Sequence, residues 1–244
     1  MRERLNQASS MLEESKLTHS EVRKAEVNSR AQDDFIRRAT RLLPVPAVPG
    51  IRIYTADEAT ELWQQTEDEL GRTGLPPPFW AFPWAGGQAL ARYLSEQPEV
   101  VRGRTVLDVA SGSGLVAIAA ARAGAAAVWA NDIDEFAQAA ARLNAAENRV
   151  SVGLLPGDRV GCDEGWDVVL AGDVSYERDM AAWLLGWFEA LGRRGALVLI
   201  GDPGRSYLPR HRLAEVAAYD VPVPRALEDA DVKRATVWRL LPPR

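Results

Sequence analysis

Two polar side chains follow a stretch suited to a buried strand, in the run DVVLAGDVSYE from Asp167 to Glu177. Asp173 offers a carboxylate that accepts hydrogen bonds, and Tyr176 offers an aromatic ring with a polar tip. The chemistry that such a pair performs depends on the groups that lie beside this strand end.

A glycine-rich loop follows an earlier strand, in the run VLDVASGSG. Asp108 lies near the end of that strand, and Ser111, Gly112 and Gly114 precede the next helix. Small residues let the backbone approach a ligand closely, and the free N–H groups of a helix N-terminus add hydrogen-bond donors. The loop therefore predicts a cofactor site.

Two cofactor classes match this loop. Gly112, Gly114 and Ala117 satisfy the G-x-G-x-x-A pattern of dinucleotide-binding folds, and Asp132 lies 20 residues beyond Gly112. Asp108 favours the second class, because a carboxylate repels a pyrophosphate and attracts the cationic amino group of S-adenosylmethionine. We therefore expect S-adenosylmethionine as cofactor and S-adenosylhomocysteine as product.

Three more residues are expected around this cofactor. Asp132 ends the second strand of the series, where an acid accepts hydrogen bonds from both ribose hydroxyls in either cofactor class. Ile133 is placed to cover one face of the adenine. Asp158 follows the third strand, where enzymes that bind S-adenosylmethionine often hold the adenine amino group. The alternative is that Asp158 is a simple turn residue.

Strands and helices alternate from residue 105 to the C-terminus. Seven runs are typical of strands: TVLDVA, AVWAN, SVGLL, WDVVLAG, ALVLIG, VAAYDVPV and RATVWRLL. The alternation predicts a parallel sheet covered on both faces, and the two closely spaced final strands predict an antiparallel edge hairpin. The expected fold is an α/β doubly wound, mostly parallel seven-stranded sheet, Rossmann-like as in class I methyltransferases. Trp183 and Trp187, four residues apart in one helix, are expected in its core.

The residues before this core predict an N-terminal helical extension. Residues 1–30 predict a polar arm, helical or frayed, and residues 31–104 predict a cap on the cofactor-binding core of residues 105–244. Three elements are expected in the cap: an amphipathic helix over DDFIRRATRLL (33–43), an edge strand over IRIYTA (51–56) and a second helix over DEATELWQQTEDEL (57–70).

Composition and charge narrow the classes of function. The net charge of −5 gives no reason to expect a nucleic-acid partner. Cys162 is the single cysteine, which excludes an internal disulfide, and the two histidines, His19 and His211, have no metal-ligand spacing. No apolar run has the length of a membrane span, and no signal-peptide core is present. We expect a cytoplasmic monomer without a metal.

Four segments carry a resemblance to a known family: FWAFPWAGGQALARYL (79–94), NDID (131–134), AGDVSYE (171–177) and LIGDPGR (199–205). From about residue 33 onward, the sequence resembles the electron transfer flavoprotein β-subunit lysine methyltransferase family. These enzymes are seven-strand protein lysine methyltransferases with an Asp-x-x-Tyr motif. Ala110, Ser175 and Gly50 depart from the family pattern, which commonly has a glycine, an aromatic residue and an acid there.

The resemblance implies roles for the aromatic segment and for the loop after the fifth strand of the core. Trp84 is expected near the cofactor, and Trp80 and Phe82 are expected to line the entrance for a substrate lysine. Asp202 and Arg205 are expected either to contact the protein substrate or to pair with each other.

The implied reaction moves a methyl group from S-adenosylmethionine to lysines of the electron transfer flavoprotein β subunit. Lysine has a pKa of about 10.4 in water, so its neutral amine costs roughly 4–5 kcal/mol at pH 7. A cationic sulfonium and aromatic walls lower that pKa. We expect Asp173 to orient the amine, with a general-base role left open, and Tyr176 to form a wall and a second polar contact.

Other functions share part of this pattern. A ribosomal-protein lysine methyltransferase would use the same chemistry, and a non-catalytic S-adenosylmethionine-binding module would keep the same loop. A dehydrogenase is disfavoured by Asp108 and by the lack of a catalytic His or Lys constellation. A nucleic-acid methyltransferase more commonly has an Asn/Asp-Pro-Pro-Tyr motif and a basic face.

Overall fold

The computed structural model describes residues 19–57, 61–62, 77–223 and 230–242, with side chains from residue 29 onward. Its helices are α1 (His19–Ala39), α2 (Ala85–Glu96), α3 (Leu115–Arg122), α4 (Glu135–Glu147) and α5 (Arg178–Arg194). Its strands are β1 (Arg41–Val45), β2 (Val48–Thr55), β3 (Thr105–Val109), β4 (Ala127–Asp132), β5 (Gly153–Pro156), β6 (Val168–Gly172), β7 (Leu197–Asp202), β8 (Leu213–Pro222) and β9 (Val232–Leu240).

The strand order of the main sheet is β5-β4-β3-β6-β7-β9-β8. Strand β3 pairs in parallel with β4 on one side and with β6 on the other. Strand β9 is antiparallel to β7, and β8 closes that edge antiparallel to β9. The carboxyl ends of β3 and β6 therefore meet where the chain changes direction across the sheet, which is where such sheets bind ligands. The predicted doubly wound sheet with an antiparallel edge hairpin is confirmed.

Apolar residues cover both faces of this sheet. Alternate residues of β3 face opposite sides, so Val106 belongs to one buried cluster and Leu107 to another. The first cluster includes residues of α2, α3 and β2, and the second includes residues of α5. A third cluster joins α1 to α4 through Phe35 and Phe136, whose ring centres are 5.4 Å apart. Burial on both faces explains why the strands are nearly continuous apolar runs.

The cap differs from its prediction at the first helix. Helix α1 ends at Ala39, whereas the pattern of residues 33–43 predicted a helix that continued to Leu43. Leu43 instead lies in β1 and pairs with Ile53 of β2. Pairing with a second strand overrides the local helical pattern, because strand formation depends on the partner as well as on propensity.

The other cap predictions have mixed outcomes. The edge strand expected over 51–56 is confirmed as β2. Of the helix expected over 57–70, residues 61–62 are helical, and residues 58–60 and 63–70 lie outside the described residues. Helix α1 contains residues 19–30 of the expected arm, and residues 1–18 lie outside the described residues.

The two tryptophans of α5 have different surroundings. Trp187 is buried, as predicted, whereas Trp183 is 71% exposed and its prediction as a core residue is wrong. The remaining buried residues of α5 are Ala181, Leu184, Phe188 and Leu191. Trp187 lies at the margin of that face, and Trp183 lies about 40° further around the helix, outside it.

Within the described ranges, no helix has both the length and the apolar character needed to cross a membrane. The same part of the chain contains no group of three or more His, Cys, Asp or Glu side chains arranged to hold a metal ion.

Candidate active site

Four carboxylates lie at the carboxyl ends of four adjacent parallel strands. Asp132 ends β4, Asp108 lies next to the last residue of β3, Asp173 follows β6, and Asp202 ends β7. We call this set the carboxylate rim. The sheet brings together residues from four separate sequence segments, because parallel neighbours present the same end at the same edge.

The turn between β3 and α3 connects two of these carboxylates. Gly112 has a φ of +51° and Gly114 a φ of +74°, a region that glycine adopts without steric cost. A Cβ atom on Gly114 would lie 2.9 Å from the Cβ atom of Ala141 in α4. The backbone N–H of Gly112 donates a hydrogen bond to Asp132 Oδ2 at 2.8 Å. The glycines therefore let the turn pack between α4 and the end of β4.

Asp108 is a buried carboxylate with a strongly perturbed titration. It is 1% exposed, and its Oδ2 accepts a hydrogen bond from the backbone N–H of Ala117 at 2.9 Å. Burial raises the pKa of Asp108 to about 8, opposed by the Ala117 N–H and reinforced by the charge of Asp132. Nearby, Ser111 Oγ is buried and has no hydrogen-bond partner in the described part of the chain. A cationic amino group fits this site, because it would offset the charge of Asp108 and supply N–H donors.

Asp132 is half-buried and tied to the backbone on both oxygens. Oδ2 accepts from Gly112, and Oδ1 accepts from the N–H of Asp134 at 3.1 Å. Burial raises the pKa of Asp132, and these N–H groups oppose that rise. The neighbouring Ile133 is 76% exposed, so an apolar surface lies directly beside this carboxylate.

Asp158 lies in the loop after β5, one strand beyond Asp132. Its side chain is exposed, and its Oδ1 accepts a hydrogen bond from the N–H of Val160 at 2.9 Å. A hydrogen bond from an Asp side chain to the N–H two residues on stabilises a local turn. This hydrogen bond supports the alternative that Asp158 is a simple turn residue. A contact of Asp158 with adenine stays a prediction.

Phe79 packs against two other aromatic rings, those of Trp84 and Tyr176, near the rim. The ring of Phe79 lies 5.8 Å from that of Trp84 and 5.7 Å from that of Tyr176, centre to centre. Trp84 Nε1 donates a hydrogen bond to the carbonyl oxygen of Phe79 at 2.8 Å. Tyr176 is 49% exposed, and partial burial is the main cause that raises its pKa. The charges of Glu177 and Asp132 also contribute to that rise.

Trp80 and Phe82 do not line an accessible entrance in this structure. Trp80 is 1% exposed and Phe82 is 3% exposed, and both belong to the cluster that joins α1 to α4. The ring of Trp80 stacks on Phe136 with centres 6.0 Å apart. Phe79 was not among the predicted site residues. It is 43% exposed and its ring lies beside that of Tyr176. The sequence contained no periodic signal for it, because Phe79–Ala81 is a single 3-10 turn.

Among the described residues, four N–H groups donate hydrogen bonds to Asp173. Its Oδ2 accepts from the backbone N–H groups of Gly86 at 2.6 Å and Gly87 at 3.1 Å, in the first turn of α2. Its Oδ1 accepts from Arg205 Nε at 3.2 Å and Nη2 at 2.8 Å. Asp173 has a φ of +57°, which Asp tolerates better than most residues. The carboxylate therefore fixes α2 to the end of β6.

Asp202 and Arg205 are joined by a hydrogen bond from the Arg205 backbone N–H to the Asp202 carboxylate. Asp202 Oδ1 accepts from the N–H groups of Gly204 at 2.6 Å and Arg205 at 2.7 Å, which shapes the loop after β7. Asp202 is 1% exposed, so the structure does not present it to a protein substrate. The guanidinium of Arg205 forms an ion pair with Asp173 instead.

A groove of about 690 Å³ lies away from the carboxylate rim. Its described lining includes β2 and the last turns of α2 and α3, with Arg92, Arg102 and Arg122. Because α2 and α3 begin at the rim, their last turns lie at the opposite edge of the sheet. Four of the predicted site residues, Asp108, Asp132, Asp173 and Asp202, form the rim, and the rim is therefore the candidate active site.

Comparison with known proteins agrees with this geometry. A family model described as ribosomal protein L11 methyltransferase (PrmA) matches residues 88–173. The structure of a Pyrococcus horikoshii protein described as an RNA methyltransferase superposes with a TM-score of 0.53 at 13% identity, over 70% of this chain and 91% of that chain. This likeness concerns the fold alone.

Sequence relatives cover most of the chain. An electron transfer flavoprotein beta subunit lysine methyltransferase of Xenopus laevis is 36% identical over 215 residues, which span 85% of this chain and 86% of the relative. The protein of the same name from Danio rerio is 40% identical over 78% of this chain and 72% of its own length. The one from Homo sapiens is 37% identical over 80% of this chain and 76% of its own length. With this similarity and this fold, the chain belongs to the electron transfer flavoprotein beta subunit lysine methyltransferase family.

Proposed function

We propose that this protein transfers methyl groups from S-adenosylmethionine to lysine side chains of the electron transfer flavoprotein β subunit. The observation that carries the proposal is the carboxylate rim, where buried Asp108 and the aromatic-flanked Asp173 occupy neighbouring strand ends. One carboxylate suits a cofactor amino group, and the other suits a second cation. A cytoplasmic, monomeric protein remains the accompanying prediction.

The cofactor half of the site uses the turn after β3 and the end of β4. Asp108 and Ser111 would bind the amino group, since one is a buried carboxylate and the other a buried hydroxyl. Asp132 would accept from the ribose hydroxyls, and exposed Ile133 would cover the adenine. When bound, S-adenosylmethionine supplies a methyl group on a cationic sulfur. Trp84 stays a predicted neighbour of the cofactor, and it would stand close to the reacting groups through its position beside Arg205 and Asp173.

The lysine half of the site must deliver a neutral amine. Phe79, Trp84 and Tyr176 form an aromatic wall beside this position, and the positive charge of a neighbouring sulfonium would disfavour the ammonium form of the bound lysine. Asp173 orients the amine by accepting its N–H groups. We favour orientation over proton abstraction, because the backbone N–H groups of Gly86 and Gly87 hold this carboxylate as an acceptor. The nitrogen–methyl bond forms as the sulfur–methyl bond breaks, and the amine proton leaves to solvent.

A second substrate class has one observation in its favour. The family model matched by residues 88–173 carries the description ribosomal protein L11 methyltransferase. The matched segment contains α2 from Gln88 onward, the cofactor turn and Asp173, which serve cofactor binding as well as substrate binding. A ribosomal protein is therefore the alternative substrate, with the same chemistry.

Intact-mass spectrometry tests the proposal. Purified electron transfer flavoprotein is incubated with this protein and S-adenosylmethionine, with a ribosomal protein extract in parallel. We expect mass increments of whole methylene units on the β subunit, lost in Asp173→Asn and retained in Asp163→Asn, an exposed Asp paired with Arg194. Labelling of the extract alone would mean that the substrate is a ribosomal protein and not the flavoprotein. Absence of labelling in both samples would contradict the proposed activity.

A further inference from the structure

We propose that the position of the Arg205 guanidinium, between Asp173 and Trp84, is the binding position of the substrate ammonium. Arg205 occupies it until a lysine displaces the guanidinium. The proposal rests on the proposed function and adds a regulation of the same site. It begins from the ion pair in which Arg205 Nη2 lies 2.8 Å from Asp173 Oδ1.

The hydrogen bonds of Asp173 leave one route for an incoming lysine. A carboxylate has about four acceptor positions, and in the described part of the chain four N–H groups already point at Asp173. Two of them belong to the backbone of α2 at Gly86 and Gly87, where Gly86 packs so closely against Gly201 that a Cβ atom would lie 2.2 Å from its carbonyl oxygen. The other two belong to the side chain of Arg205. A lysine that binds Asp173 therefore replaces Arg205.

The position has the chemistry of a cation site. Asp173 supplies a negative charge on one side, and Arg205 Cζ lies 5.8 Å from the centre of the Trp84 ring on the other. An aromatic face attracts a cation electrostatically, with or without a guanidinium shape. Trp84 is itself fixed by its hydrogen bond to Phe79. A primary alkylammonium meets the same two requirements as the guanidinium.

The backbone of the loop after β7 is held by a contact that does not involve the Arg205 side chain. The backbone N–H of Arg205 donates to Asp202 Oδ1 at 2.7 Å, so the loop after β7 keeps its shape. The side chain of Arg205 is 21% exposed, against 9% for Asp173, and solvent therefore reaches the outer partner of the pair first. A guanidinium also stays protonated at neutral pH, so it neutralises Asp173 without acting as a nucleophile.

Fluorine NMR of protein labelled with 5-fluorotryptophan reads this position directly. The Trp84 signal is assigned with Trp84→Phe, and n-butylammonium chloride is titrated against sodium chloride of equal ionic strength. In Arg205→Ala and Arg205→Gln, we expect a saturable shift of the Trp84 signal at concentrations at least tenfold lower than in the wild type. Adding Asp173→Asn to either variant should remove the shift.

Arg210→Ala is the matched control, because Arg210 lies over a different tryptophan, Trp238, at 6.0 Å. It should respond as the wild type does. Equal responses of the wild type and the Arg205 variants would overturn the proposal, as would a shift that persists without Asp173. The two substitutions guard against loss of folding, since Gln keeps a polar side chain of similar length.

The NMR readout needs neither cofactor nor protein substrate, so it separates this proposal from the proposed function. Absence of methylation by the wild type together with the Trp84 shift would contradict the proposed function alone. With an active wild type, Arg205→Gln should lower KM for the protein substrate at least threefold. A lower kcat at unchanged KM would instead make Arg205 a positioning residue for Asp173 and overturn the displacement.

Discussion

Gly86 lies against the backbone of Gly201 so closely that a Cβ atom on residue 86 would be 2.2 Å from the Gly201 carbonyl oxygen. It would also be 2.6 Å from Asp173 Oδ2. The reverse holds as well, since a Cβ on Gly201 would lie 2.1 Å from the Gly86 carbonyl oxygen. This contact lets the first turn of α2 reach the ends of β6 and β7, and so aims its N–H groups at Asp173.

Gly86→Ala should therefore disrupt the site and the fold together. We expect a loss of about 3 kcal/mol in the free energy of unfolding, because backbone atoms must move to admit the methyl group. Gly87→Ala is the control: its Cβ would lie 3.8 Å from Val116, an ordinary contact, and alanine favours a helix. Urea unfolding of both variants tests this. Equal stabilities would contradict the proposed role of the contact.

Ala110 has a φ of +50° at the position where methyltransferase loops commonly have a glycine. A left-handed conformation costs a residue with a Cβ roughly 1–2 kcal/mol, and part of this is offset because glycine is more flexible in the unfolded chain. Ala110→Gly should therefore raise the free energy of unfolding by about 1 kcal/mol. Ala121→Gly, in helix α3, should lower it by a similar amount. Destabilisation by both substitutions would show that Ala110 is not strained.

The sheet and the rim could be predicted from local sequence. Strands buried on both faces are short apolar runs between turn residues, so the pattern from Thr105 onward predicted all seven strands of the main sheet. Asp108, Asp132 and Asp173 each follow or end such a run, and parallel neighbours bring these ends together. Their roles in binding stay predictions, because a role depends on ligand contacts.

Features set by packing between distant segments could not be predicted. Arg205 and Asp173 are 32 residues apart, and they pair because β6 and β7 are neighbours and Asp202 shapes the loop after β7. The choice of Phe79 over Trp80 as the exposed ring depends on one 3-10 turn, too short for any periodicity. Leu43 lies in a strand and not in the predicted helix because it pairs with Ile53 of β2.

Phe79→Ala tests the aromatic wall. The substitution removes ring contacts with Trp84 and Tyr176, each worth about 0.5–1.5 kcal/mol. We expect kcat/KM for the protein substrate to fall about tenfold, with cofactor affinity changed less than twofold. Trp183→Ala removes a more exposed aromatic ring on α5 and should leave kcat/KM unchanged. If Trp183→Ala had the larger effect, the substrate would dock on α5 instead.

Asp108→Asn tests the buried carboxylate through pH. Burial raises the pKa of Asp108 from 3.8 to about 8, so between these values the folded protein keeps a proton that the unfolded chain releases. Folding stability from this group is complete below pH 3.8 and is lost as pH rises through the folded pKa. The free energy of unfolding then falls by up to about 1.4 kcal/mol per pH unit. Asn has no such proton, so the variant without cofactor should become more stable than the wild type as pH rises from 5 to 8.

The same substitution should weaken S-adenosylmethionine binding, about 10- to 100-fold, because a charged acceptor is lost from the amino-group site. Urea unfolding at several pH values and calorimetric titration of the cofactor measure the two effects separately. Asp132 titrates in both proteins, so its contribution largely cancels in the difference. A stability difference independent of pH would mean that Asp108 is ionised in the cofactor-free fold. Unchanged cofactor affinity would remove Asp108 from the binding site. The two effects together identify a carboxylate that is costly to bury alone and is stabilised by a bound cation.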